Sequence, residues 1–440
     1  VAWGVHGHGS KLVTAMYLPW IVGWSLRILD GRGPLAVGMT GLLIGLQFLG
    51  GHVQISYYTL LAVGWLSLWN TVWPSGPAAA PTAVRWKRFS GVILGLALGF
   101  ALAAIMLVPV HGYAGLSIRG QDTAGGGGVG LDYATGWSLA PAETGTFILP
   151  SVAGFGKATY VGLMPFTDYP NYFGLLLLAL ALTAFRRPEG RLMAAALGIM
   201  ALLAVLVSFG GFGFGFYELL YKVLPFFNKF RIPSMILVLT GFALAVMAAR
   251  GAQELQEEIP APVRPWFIPA LLGGVGLVLL LGGVTGAARG PFISGFESLA
   301  ATAGRQVVPA LTDAAWALHK ADLVRIGLIL AAGASALMYG LRNEAFRKRG
   351  LVWVLALLVT VDLMAVDRRI VYPERYLQQV GRDASGRARL VAATTMEQDY
   401  VRAAEVAPGP GAAALAAAVG HGRAWPLGSL GVRNLWMVDR

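Results

Sequence analysis

Runs of about 17–25 mostly apolar residues recur along this chain, and nothing else in it limits the possible folds so severely. A helix of that length spans the hydrocarbon core of a bilayer. Lipid offers no partner to a backbone N–H or C=O, and a helix satisfies both internally. Ten runs stand out: residues 12–29, 35–50, 53–73, 89–110, 170–185, 192–210, 233–249, 266–285, 322–341 and 351–366. Of the 440 residues, 56% are hydrophobic and 13% charged, against about 25% charged in soluble domains. A soluble fold this apolar could not cover its surface, so the expected fold is all-α: a polytopic integral membrane helical bundle of about ten transmembrane helices. As a single helix, residues 34–73 would reach about 60 Å, twice the hydrocarbon thickness, so Gly50-Gly51-His52 is expected to break them into a hairpin. The first run holds Pro19 and Arg27 and could instead lie along the interface.

Lys and Arg orient the runs. The connections around Arg32, Arg85-Trp86-Lys87-Arg88, Arg186-Arg187 to Arg191, Arg250 to Arg264 and Arg342 to Arg349 hold about 13 basic residues in about 50 positions, against about 9 in about 128 in the other set. The positive-inside rule puts the dense set in the cytosol. Residues 1–369 then form a transmembrane domain with external loops 111–169, 211–232 and 287–321, followed by a polar external C-terminal segment, 370–440. The net charge of +12 raises nucleic acid as a partner, but the cations sit in short clusters between apolar runs, with no nucleic-acid module. Membrane lipids are the expected partner, and nucleic acid is not expected. There are no cysteines, so disulfides and thiolate chemistry are excluded. The chain begins at Val1 without a signal peptide and reads as if it starts partway through something. Gly41-x-x-x-Gly45 and Gly91-x-x-x-Gly95-x-x-x-Gly99 suit close helix packing in lipid, though 59 glycines also permit chance spacing.

Chemistry is expected on the external side. His6, His8, His52 and His111 fall there without a metal-ligand spacing. In Gly51-His52-Val53-Gln54-Ile55-Ser56-Tyr57 a turn opens a helix whose free N–H groups suit an anion beside His52, Gln54 and Tyr57; a polar cap on a hairpin is the alternative. The long loop carries Glu143, with Asp122, Asp132 and Asp168, and then Lys157 and Tyr160. Beside low-dielectric lipid, Glu143 could serve as general base or metal ligand, or merely cap a loop. Lys229 and Arg231, in Phe227-Asn228-Lys229-Phe230-Arg231-Ile232-Pro233, put external cations where the orientation rule disfavours them, so a lipid-linked phosphate or a snorkelling pair is expected. Asp362 lies inside the last run, as a functional acid or in a local pair with nearby Arg368 and Arg369.

Together these segments resemble the bacterial YfhO family of the GT-C glycosyltransferase superfamily: His6-Gly7-His8 with Lys11, Gly51-His52-Val53-Gln54 with Tyr57-Tyr58, Pro141-Ala142-Glu143 with Leu149-Pro150, Tyr160-Val161-Gly162 with Tyr172-Phe173-Gly174, and Phe230-Arg231-Ile232-Pro233. The resemblance implies a GT-C-like multi-pass enzyme of the bacterial inner (cytoplasmic) membrane. It would move a sugar from a polyprenyl-phosphate carrier to an external cell-envelope acceptor. It also implies that His52, Gln54 and Glu143 orient the carrier head group, that Lys229 and Arg231 meet its phosphate, and that a divalent cation, magnesium or manganese, could take part. The chain departs from the pattern, since the family's first-loop acid has no counterpart here and the N-terminal spans and most of the external C-terminal domain are missing. The alternative is a non-catalytic scaffold or accessory subunit with membrane protein partners.

Overall fold

The computed structural model describes residues 9–74, 76–114, 130–164, 170–257, 266–372, 378–382 and 388–392. Its principal helices are α1 (Gly9–Leu29, interrupted at Tyr17), α2 (Pro34–Leu49), α3 (Val53–Val72), α4 (Thr82–Ala114), α5 (Leu175–Thr183), α6 (Pro188–Ser208), α7 (Phe216–Val223), α8 (Pro233–Gln256), α9 (Phe267–Thr285), α10 (Arg289–Thr302), α11 (Pro309–Arg342) and α12 (Leu351–Val371). The chain is a helical membrane protein. Six described helices, α1, α4, α6, α8, α9 and α11, are long and apolar enough to cross a membrane.

The other four expected runs are helical but differ in kind. With 16 residues, α2 reaches about 24 Å. Buried Gln54, Ser56, Thr59, Ser67 and Asn70 dilute the apolar character of α3. Asp362, Asp367, Arg368 and Arg369 all lie on α12. The run 170–185 is corrected most: its helix α5 has nine residues, about 14 Å. Residues before it are drawn out of helix because Phe173 and Gly174 donate backbone bonds to the Phe147 carbonyl, and Gly174 turns with φ +89. A Cβ there would meet Asp362 Oδ2 at 2.9 Å. In the opposite sense, α11 begins at Pro309, well before the run expected at 322–341.

With little hydrophobic drive between helices in lipid, packing depends on close approach. The glycine motifs supply it between α2 and α4. A Cβ on Gly99 would sit 2.5 Å from Ile44 Cγ2, and one on Gly41 would sit 2.8 Å from Leu98 Cβ. Gly276 of α9 and Gly327 of α11 face each other as closely, each added Cβ falling 2.9 or 2.8 Å from the other's carbonyl oxygen. Gly251 of α8 lies against the Leu180 carbonyl of α5.

Loop contacts gather at two ends of the bundle. At one, Arg88 Nη1 donates to the Leu29 carbonyl at 2.8 Å, Arg85 donates to the carbonyls of Thr71 and Val72, Arg187 pairs with Glu257, and Gln256 bonds the Lys348 carbonyl. These are the loops of high Lys/Arg density. At the other, the Leu139 N–H bonds the Ser208 carbonyl, Gln54 bonds the Arg231 carbonyl, and Arg305 bonds the Tyr160 carbonyl. An antiparallel hairpin, β1 (Gln378–Arg382) with β2 (Ala388–Ala392), packs by β1 on Gly156–Thr159 and α11.

Candidate functional site

The loop-rich end is organised from α3 upward. Gly51, with φ +84, turns the chain so that His52 caps the helix, its Nδ1 accepting from the Ile55 N–H at 3.3 Å. The next residues grip the segment that precedes α8. Gln54 is 5% exposed, and its Nε2 donates to Tyr58 Oη at 2.7 Å and to the Arg231 carbonyl at 2.6 Å. Tyr57 donates to the Pro225 carbonyl at 2.9 Å and lays its ring 5.1 Å from that of Phe230. Three residues singled out as ligand-binding therefore cap the helix or fix the backbone on which Arg231 sits.

That backbone is held against its own preference. Phe226 and Ile232 have φ +64 and +63, which costs a β-branched isoleucine most. The guanidinium of Arg231 lies 4.6 Å from the ring centres of both Tyr133 and Trp137, and Nη1 donates to Tyr133 Oη. Lys11 is within electrostatic reach of Arg231. Lys229 is half-buried in the turn Phe227–Lys229. Asp132, next to Tyr133, is exposed. The result is an aromatic-flanked cation at the surface, with a second cation close by, which suits a phosphate or carboxylate. Tyr133 and Trp137 follow a glycine-rich stretch without periodicity. Only their aromatic character, close to a short 131–134 turn, could have marked them.

Glu143 belongs to a neighbouring, closed arrangement. It is 1% exposed; Oε2 accepts from Tyr160 Oη at 2.7 Å and Oε1 from the Leu163 N–H at 2.8 Å, while Met164 N–H donates to Tyr160 Oη. Burial first, and then the Glu143 charge, push the Tyr160 hydroxyl well above the usual tyrosine range. Gly162 is needed, since a Cβ there would fall 2.3 Å from Tyr160 Oη. The loops that carry Glu143 and Arg231 meet at one end of the bundle, where Ser138 Oγ accepts from the Gly211 N–H. They do not form one pocket: Glu143 braces a loop, and Arg231 stands in the open clamp. Lys157 lies on Gly156–Thr159, and its side chain is outside the described residues, as are His6, His8, Asp122 and Asp168.

A third group was legible in the sequence only through Asp362 and Arg369. Asp322 of α11 receives Arg369 of α12 through both oxygens, with Nη2 to Oδ1 2.8 Å and Nη1 to Oδ2 3.1 Å. Its Oδ1 also takes Arg325 Nη2 at 3.0 Å. Arg325 Nη1 lies 3.0 Å from Asp362 Oδ1 but directs its hydrogen bond to the Asp362 carbonyl at 2.7 Å, and Tyr172 donates to Asp362 Oδ2 at 2.7 Å. Two acids and two arginines thus tie α11 to α12, so Asp362 pairs across helices rather than locally. Ser151 Oγ lies 3.3 Å from His319 Nδ1, one turn from Asp322, a set that looks like a nucleophile with its base. All three are buried, His319 stacks 4.2 Å from Phe292, and Asp322 is committed to arginines, so this is packing rather than a reaction site. Among the described residues no group of three or more His, Cys, Asp or Glu could hold a metal ion. Comparison with family models, with curated proteins and with solved structures gave no match to this chain.

Proposed function

We propose that this chain is the membrane domain of a GT-C-type glycosyltransferase of the YfhO kind, with about ten membrane passes and the clamp end outside a bacterial cytoplasmic membrane. The observation that carries the reading is the Arg231 clamp: a cation between two aromatic rings at the loop-rich end of an apolar bundle. A polyprenyl-phosphate-linked sugar presents the matching features, a phosphate at headgroup level and an apolar tail in lipid. In this reading Arg231, Lys11 and Lys229 stabilise the phosphate as the anomeric C–O bond breaks, and Asp132, exposed and next in sequence to the Tyr133 that flanks Arg231, takes the proton of the attacking acceptor hydroxyl. Glu143 acts through Tyr160, shaping the loop.

The test is radiolabelled sugar transfer from polyprenyl-phosphate sugar in membranes carrying the protein. Arg231→Ala and Asp132→Asn are each expected to lower transfer by tenfold or more, from the loss of one transition-state contact. Undiminished transfer in both overturns the reading. One observation favours the alternative of a non-catalytic scaffold: both oxygens of the buried Glu143 are occupied by the protein. Absence of any turnover together with stoichiometric copurification of a membrane protein would decide for that alternative.

A further inference from the structure

Along one side of α11 runs an open groove of about 680 Å³, away from the clamp. Its floor is apolar, including Ala321, Leu328 and Ala332, and two cations line its upper part, Lys320 and Arg325. Lys320, Val324, Leu328 and Ala332 follow at four-residue steps, so they share one face of the helix. Leu328 is 55% exposed. Lys320 is exposed and has no acidic partner among the described residues. Arg325 is turned inward, its terminal nitrogens on Asp322 and Asp362 and its Nε buried, so among the described residues the free positive charge of the groove is that of Lys320.

Depth makes this arrangement informative. Lys320 stands 22 residues before the end of α11 at Arg342, about 33 Å along the axis, one hydrocarbon thickness. With Arg342 at one headgroup layer, Lys320 reaches the opposite one, and Leu328 and Ala332 face acyl chains. A positive charge at headgroup level over an apolar trough is complementary to a lipid that is anionic at its head and apolar in its tail. A zwitterionic headgroup gains less, because its own ammonium opposes Lys320.

We propose that the α11 groove binds an anionic phospholipid, its phosphate over Lys320 and one acyl chain along Leu328 and Ala332. The site rests only on the membrane placement of α11 and stands or falls separately from the glycosyltransferase reading.

The experiment is native mass spectrometry of the detergent-purified protein titrated with dioleoyl phosphatidylglycerol or dioleoyl phosphatidylcholine. Wild type should retain phosphatidylglycerol preferentially. Lys320→Ala should lower that preference about fivefold, the effect of removing one cation near a lipid phosphate. Ala332→Trp, which fills the trough without touching charge, should lower retention of the lipid as well. Both positions are exposed, and unchanged circular dichroism verifies folding. Lys87→Ala, a basic change at the other end of the bundle, should leave the preference intact. A preference unaltered by Lys320→Ala and Ala332→Trp overturns the proposal. So does displacement of phosphatidylglycerol by equimolar undecaprenyl phosphate in wild type but not in Lys320→Ala, which would make the groove a carrier site.

Discussion

Asp322 and Asp362 look equivalent in sequence, one acid on each of two neighbouring helices, yet the structure makes their removal unequal. Asp322 serves two arginines, and it is the carboxylate partner of Arg369. Replacing it with Asn leaves Arg369, 8% exposed, with a buried charge and no counter-charge among the described residues. Breaking a buried ion pair from one side costs about 3–5 kcal/mol. Replacing Asp362 with Asn leaves Arg325 still paired to Asp322, and what is lost is the charge in its contacts with Arg325 and Tyr172, about 1–3 kcal/mol. Asp322→Asn should therefore be the more damaging by about 2 kcal/mol. The combination Asp322→Asn with Arg369→Met should recover most of its loss, because the stranded charge goes too. Reversible unfolding in mixed micelles on titration with sodium dodecyl sulfate, followed by circular dichroism, measures each variant. Equal losses for the two acids, or a double variant no better than Asp322→Asn alone, would refute the asymmetric network.

Three further expectations follow from the geometry. Gly99→Leu and Gly327→Val each force two helix backbones apart and should cost at least about 1–3 kcal/mol in the same unfolding assay, whereas Gly64→Ala, with open space around it, should be nearly silent. Because the fold favours the neutral Tyr160 hydroxyl, that contribution is intact below about pH 10, where tyrosines of the unfolded chain titrate, and declines as pH rises beyond it. Absorbance at 295 nm should accordingly show the same number of tyrosines titrating between about pH 9 and 11 in folded wild type and Tyr160→Phe, and one fewer in the variant would contradict the buried pair with Glu143. Arg231→Lys keeps the charge but loses the flat stacking surface between Tyr133 and Trp137, so binding of a lipid phosphate should weaken by about two- to fivefold, with a larger loss in Arg231→Ala, measured by the same native spectrometry.

Much of the helical layout was legible because apolar length is a one-dimensional property, written in consecutive residues. The break at Gly50-Gly51 and the glycine spacings of α2 and α4 were legible for the same reason. Where three-dimensional neighbours decide, sequence reading fell short. At residues 170–185, Gly174 leaves the helix because Phe147, distant in sequence, receives its N–H. At Asp322 the apolar run begins, but the helix does not: the more polar residues from Pro309 onward extend α11, and Arg325 and Arg369 neutralise the buried Asp322 within it. At the site, the sequence singles out Arg231 as a cation in an unexpected place, and the structure sets its guanidinium between Tyr133 and Trp137, which no spacing announces. His52, Gln54 and Tyr57 were read as ligand groups because sequence shows that they are polar, not that their hydrogen bonds are already directed to Ile55, Arg231 and Pro225.

At the basic end of the bundle, Arg88 closes the last turn of α1, Arg85 that of α3, and Arg191 bonds the Phe185 carbonyl beyond α5. Under the proposed orientation, the side chains whose charge would bias how a nascent chain enters the bilayer are also stoppers for helices in the finished molecule. A lysine in their place would preserve insertion, since only charge is counted then, but would lose the forked donor that seals the carbonyls. Topology and rigidity are written in the same residues, and Arg→Lys exchange at these three positions would separate one from the other.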